Sequence, residues 1–239
     1  MKLLQLGGLR VRALGGDDRD GGGDGPAVLL CHGFGAPGDD LVGLARVMDA
    51  GPGVRWFFPE APISLDVGMG MTGRAWWPID MVRMQMAIAR GESRSLAEET
   101  PDGLAPAADL LLGCIDALVA EHRVDPARLV IGGFSQGAML TTEVALYDGR
   151  TFAGLAVLSG TLLSRDRWEI AARTRAPSLH VVQSHGRQDP ILGFAGAEAL
   201  RDLLIGAGAD LQFVPFAGQH AIPPPAMDAL AAFCRKRLG

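Results

Sequence analysis

The stretch RLVIGGFSQGAML (residues 128–140) decides how this chain is read. RLVIG is a short apolar run with β-branched residues, the pattern of a buried strand. Gln136 to Tyr147 continues as a helix. Between them lies Gly133-Phe134-Ser135-Gln136-Gly137, a GxSxG pattern. In a chain with 33 glycines that pattern alone carries little weight, and its setting decides the matter. A strand, one tight turn and a helix would force the serine into a strained conformation, with glycines leaving room on either side. The hydroxyl would then project above a sheet, beside a helix N-terminus that favours developing negative charge.

The same alternation continues in both directions. Leu9–Leu14, Ala27–Cys31, Val54–Phe58, Ala153–Leu158, Ser178–Gln183 and Leu211–Phe216 read as further strands. Asp39–Met48, with Asp39 or Asp40 as its cap, reads as a helix, and so do Leu104–His122, Ala195–Ala207 and Pro224–Leu238. Residues 15–26 (GGDDRDGGGDGP) read as a turn or flexible loop. Strands alternating with helices predict a mostly parallel sheet with helices on both faces, and sites beyond the carboxyl ends of the strands. Residues 59–103 read as irregular, with paired tryptophans and the methionines Met69, Met71, Met81, Met84 and Met86. This segment is expected to form a lid or a pocket wall, since methionine adapts to varied acyl chains. The whole chain, 1–239, is expected to be one domain.

A serine hydroxyl needs a base. Five histidines are present: His32, His122, His180, His185 and His220. In this type of fold the chain order is serine, acid, histidine. That leaves His180, within an apolar strand and read as a core residue, and His185 and His220. His220 follows the last strand, where a base can reach back over the sheet. Asp189, one strand earlier, is the acid that would hold the His220 tautomer. Asp202 and Asp210 are alternative acids, one on a helix and one in a turn before a strand. AVLLC (27–31) runs into His32-Gly33-Phe34-Gly35. The backbone N–H groups of Phe34 and Gln136 are assigned as the two donors for a tetrahedral oxyanion, and His32 as a residue that orients the loop.

Composition narrows the alternatives. Hydrophobic residues make up 48% and charged residues 21%, ordinary for a globular protein. The net charge of −5 and scattered arginines argue against nucleic acid as a partner. No window has the length of a membrane span, and MKLLQLGGLRVRALGG is too soon interrupted for a signal peptide, so the expected location is cytoplasmic without stable membrane insertion. Cys31, Cys114 and Cys234 read as buried free thiols. No residue set has zinc-ligand spacing, and neither metal nor organic cofactor is expected.

At this point the chain resembles the phospholipase/carboxylesterase family of α/β-hydrolases, which includes the acyl-protein thioesterases. The likeness spans nearly the whole chain. It is carried by HGFG (32–35), FPEAP (58–62), RAWWPID (74–80), GGFSQGA (132–138), HGRQDPI (185–191) and GQHAIP (218–223). The resemblance implies an α/β-hydrolase fold, Ser135, Asp189 and His220 as a catalytic triad, and Phe34 and Gln136 as oxyanion donors. It further implies that residues near Trp76 and Trp77 line the acyl site; Gly35, Trp76, Trp77 and Ile191 are the candidate substrate-binding residues. The implied substrate is a small-molecule acyl ester or thioester. A homodimer is compatible with the sequence. A dienelactone-hydrolase-like or peptidase activity on the same scaffold, or a non-catalytic binding protein, are the competing readings.

Overall fold

The structure is a computed structural model, described over residues 1–68, 70–90 and 96–239 and, within residues 81–89, without the side chains of 83, 84, 87 and 88. In chain order the elements are β1 (Lys2–Leu6), β2 (Leu9–Gly15), β3 (Ala27–Cys31), α1 (Leu44–Val47), β4 (Arg55–Pro59), β5 (Ile63–Asp66), β6 (Thr72–Ala75), α2 (Met81–Ala89), α3 (Leu104–His122), β7 (Leu129–Phe134), α4 (Gln136–Tyr147), β8 (Gly154–Leu158), α5 (Arg165–Arg175), β9 (His180–Gly186), α6 (Phe194–Gly206), β10 (Asp210–Phe216) and α7 (Pro224–Leu238).

Among the described residues, eight strands form one sheet in the order β1-β2-β4-β3-β7-β8-β9-β10. From β4 to β10 every neighbouring pair is parallel; only the β1–β2 hairpin and its join to β4 are antiparallel. This is the α/β-hydrolase fold. Both faces are covered, which explains why the inner strands are apolar without alternation. In β3, Leu29 and Cys31 pack with α3 and α4 on one face, whereas Val28 and Leu30 pack with α7 on the other. On α3, Leu104, Ala107, Leu111, Ile115 and Leu118 recur at helical spacing and are all buried. The long central helix α4 is buried from Gln136 to Leu146.

The chain leaves β3 for β4 on one side and returns past it to β7 on the other. Strand order therefore reverses between β3 and β7, and a crevice opens above their carboxyl ends. His32 and Ser135 stand at those two ends.

The structure departs from the sequence expectations in several places. Residues 59–103 are not irregular throughout: β5 and β6 form an antiparallel hairpin, and α2 follows. Those strands have four residues each, too few to show a period. β1 was also not expected. Neither was α5, whose sequence RDRWEIAARTR buries only Trp168 and Ala172 and so shows almost no apolar stripe. The expected helix at Asp39–Met48 is a short 3₁₀ turn, Asp40–Gly43, followed by α1, and Asp39 makes no side-chain cap bond. His180 is not a core residue. It opens β9 at the end of the sheet away from the crevice, is partly exposed, and binds Asp210 at 3.0 Å.

Candidate active site

Ser135 occupies the sharp turn between β7 and α4, with φ 54° and ψ −116°. For a non-glycine residue such backbone strain costs on the order of 1–3 kcal/mol and persists only where surrounding structure enforces it. Here it is enforced by close packing. A Cβ on Gly133 would strike the Gly137 backbone and the Cys31 carbonyl, and one on Gly137 would strike the carbonyls of Cys31 and His32. Only glycine lets the turn sit directly against the end of β3.

Asp189 lies on the loop after β9, and both of its oxygens are occupied. Oδ1 accepts the amides of Ile191 and Leu192 at 2.8 and 2.9 Å. Oδ2 lies 2.6 Å from Nδ1 of His220 and 3.2 Å from Nε2 of His185. Burial works against the charge on Asp189, but the hydrogen bonds from His185, His220 and Leu192 outweigh it and hold the carboxyl well below the usual carboxylate range. His220 rides on the loop after β10. Ser159 Oγ donates to Ala221 O at 3.2 Å and Gln188 N to Gly218 O at 2.9 Å, fixing that loop. The Phe134 ring lies against the His220 ring, centroids 4.7 Å apart.

Ser135 and His220 line one cavity of about 440 Å³. Among the described residues no hydrogen bond joins the two side chains; in unliganded sites such contacts commonly tighten only when substrate binds. Phe34 and Gln136 also line the cavity, and among the described residues neither of their amides is spent on a backbone carbonyl. Gln136 is the first residue of α4, where an amide has no partner within the helix.

The loop carrying Phe34 is held from three sides. His32 is buried, with Nδ1 2.8 Å from Gly33 O and Nε2 accepting from Ala61 N at 3.1 Å. Gly35 N donates to Arg74 O, and Arg74 N donates to Ala36 O. Beneath the loop lies Glu60, 5% exposed, with the guanidinium groups of Arg74 and Arg12 on its carboxylate. Arg12 also donates to Gly38 O at 2.9 Å. Burial raises the Glu60 carboxyl, but the bonds from Arg74 and Arg12 outweigh it and bring it below its ordinary value.

Of the expected substrate-binding residues, Trp77 and Ile191 line the cavity. Gly35 instead turns its amide to Arg74, and its neighbours Phe34 and Ala36 face the space. Trp76 is buried behind the wall, where its Nε1 donates to His32 O and its amide to Gln136 Oε1. Gln136 Nε2 in turn donates to Trp77 O. The sequence reading gave Gln136 only a backbone role; its side chain ties the tryptophan pair to the serine turn. Leu96 and Glu99 to Pro101, within the segment expected to form a lid or wall, line the cavity, as do Met139 and Leu163, which the sequence reading missed. Met69 lies outside the described residues, as does the side chain of Met84.

A strained serine and a paired histidine and aspartate above the carboxyl ends of a mostly parallel sheet define this protein as an α/β-hydrolase. Residues 23–238 match the family described as phospholipase/carboxylesterase, and the chain belongs to that family and is a hydrolase. It is similar to acyl-protein thioesterase 1 of Gibberella zeae, 28% identical over 222 residues that cover 88% of this chain and 90% of that protein. It is also similar to the carboxylesterase SOBER1 of Arabidopsis thaliana, 25% identical over 88% of this chain and 90% of that one. Among solved structures, esterase PE8 shares the fold with a TM-score of 0.78 at 24% identity, over 96% of this chain and 99% of that one.

Proposed function

We propose that this protein is a serine esterase or thioesterase acting on small acyl substrates through a covalent acyl-enzyme. Ser135 Oγ attacks the carbonyl while His220 Nε2 takes its proton. Asp189 holds His220 as the Nδ1–H tautomer and stabilises the imidazolium that forms. The amides of Phe34 and Gln136 receive the oxyanion. His220 then protonates the leaving group and afterwards activates the water that releases the acid. The acyl chain lies along Trp77, Ile79, Met139 and Leu163, with Pro78, Leu96 and Pro101 beside them in the wall. The observation that carries this is the 2.6 Å bond between Asp189 and His220 beside a strained serine in the same cavity. Relatives named as thioesterases and carboxylesterases support the choice of bond. The three buried free thiols support a cytoplasmic location.

The test is a panel of p-nitrophenyl esters and acyl thioesters of varied chain length, with fluorophosphonate labelling in parallel. Ser135→Ala should fold, fail to label and lose turnover by about 10⁴–10⁶-fold. Retained turnover or labelling elsewhere overturns the assignment.

A further inference from the structure

The Asp189 carboxylate faces two histidines, and the reaction above uses one of them. His185 sits on β9 with its side chain fully buried. Its Nε2 lies 2.7 Å from Leu192 O and 3.2 Å from Asp189 Oδ2. A ring nitrogen that faces two acceptors must carry the hydrogen. Nδ1 is therefore the bare acceptor nitrogen, and it is buried without a partner among the described residues. An imidazolium would place a second N–H there with nothing to receive it, a costly arrangement. The surroundings thus fix His185 in one tautomer.

We propose that His185 is a positioning residue for the Asp189–His220 pair. It is a fixed Nε2–H donor beside the Oδ2 that His220 engages, and the inference rests on the serine-esterase reading above. Two amides and the His220 ring bind the carboxylate, and the His185 ring stands 3.2 Å from the same Oδ2, so it cannot rotate away from His220 without meeting His185. His185 also takes up part of the negative charge that would otherwise fall on His220. A general base works best when its proton is neither too loosely nor too tightly held. Without this second donor, Asp189 would hold the His220 imidazolium too firmly. The titratable and charged groups around the cluster are few. Asp189 meets His185 from β9 and His220 from the loop after β10. From α6 the Phe194 ring faces His185, with the Arg187 guanidinium over that ring. From the β7 end come the Phe134 ring and the hydroxyl of Ser135.

The experiment compares His185→Leu, which removes the donor, with His185→Gln, whose amide can occupy the place of Nε2. In His185→Leu the acid limb of the kcat/KM profile should move to higher pH, lowering activity on that limb roughly three- to tenfold. His185→Gln should restore the original profile. The same pair made in the Ser135→Ala protein, with the His220 ring followed by NMR, reads the shift without turnover. In the otherwise unaltered protein, ¹⁵N shifts should report His185 as protonated on Nε2. An unmoved acid limb in His185→Leu, a Gln variant that behaves like the Leu variant, or a His185 protonated on Nδ1 overturns the proposal. Failure of the esterase reading looks different: Ser135→Ala keeps its turnover, while the NMR comparison still decides the role of His185.

Discussion

Ser135 and Trp77 face the same cavity, yet the chain delivers them by different means. Ser135, Phe34, Ile191 and His220 stand on the segments that follow β7, β3, β9 and β10, parallel strands of one sheet with β8 between β7 and β9, and the sheet fixes their positions. Trp77, Ile79, Met81, Leu96 and Pro101 belong to the segment between β6 and α3, outside the large sheet. One half is set by the strand ladder and by bonds such as Asp189 to the Leu192 amide. The other is fastened by bonds from loops and side chains, such as the Trp76–Gln136–Trp77 bridge and the amides of Ser164 and Arg165 on the carbonyls of Glu99 and Ala97. The sheet-borne half should therefore govern rate for every substrate, and the inserted half should govern which substrate is preferred.

Asp189→Asn strikes the first half hardest. Asn keeps an acceptor for the Ile191 and Leu192 amides, so the protein should fold. It no longer holds the His220 tautomer, and kcat should fall about 10²–10⁴-fold for short and long esters alike. Steady-state kinetics on both chain lengths check this; a loss confined to one length would break the division between the halves.

Glu60→Gln tests the oxyanion loop. The variant leaves Arg74 and Arg12 on a neutral partner and loosens the support beneath Gly35 to Gly38. We expect kcat/KM to fall roughly ten- to a hundredfold, again without regard to chain length. Unfolding stability should drop by about 1–3 kcal/mol, the arginines being partly solvated. Denaturant titration alongside kinetics separates the two. Unchanged kinetics at lowered stability would reduce Glu60 to a purely structural role.

The same division governs what could be read from sequence. β3 and α4 carry strong signals, a continuous apolar run and a helix opening on a glycine-flanked serine, and their expected bounds match. Ser135, Asp189 and His220 could be singled out because each follows a strand at the rim where the topology gathers them. What escaped was pairwise. Nothing local to FPEAP and RAWWPID says that Glu60 meets Arg74, because β4 and β6 lie in different sheets. Nor does GFSQG say that the Gln136 amide bridges two tryptophans some sixty positions earlier in the chain. Such contacts are made by side chains across loops, and no periodicity encodes them.

Trp77→Ala sharpens the comparison from the other side. The indole lines the cavity and is buried. Removing it should lower kcat/KM about five- to fiftyfold for long-chain esters, and only a few-fold for acetate esters, since roughly 1–2 kcal/mol of apolar contact with the chain is lost. Equal losses at every length would mean that Trp77 supports the serine turn through Gln136 rather than the acyl chain.

His32 joins the halves, since its carbonyl accepts the Trp76 indole while its ring holds the Phe34 loop to Ala61. Its effect should be the smallest and should appear in stability. Burial pushes the imidazole toward its neutral form, partly offset by the bond to Gly33 O. With Nε2 accepting from Ala61, protonation would put two donors face to face. The unfolded chain takes up this proton near pH 6.5 and the folded chain only at lower pH. Over that window the unfolded state binds more protons, so acid favours unfolding. The contribution is fully present above about pH 6.5 and is lost as pH falls through the folded value. His32→Gln keeps an acceptor for Ala61 and cannot titrate. Its stability should decline less between pH 7.5 and 5, by at most about 1.4 kcal/mol per pH unit. Comparing the two proteins by denaturant midpoint cancels every other acid-sensitive group. Parallel curves would mean that the ring takes its proton where it stands, and that the loop meets the tryptophan segment without depending on its charge.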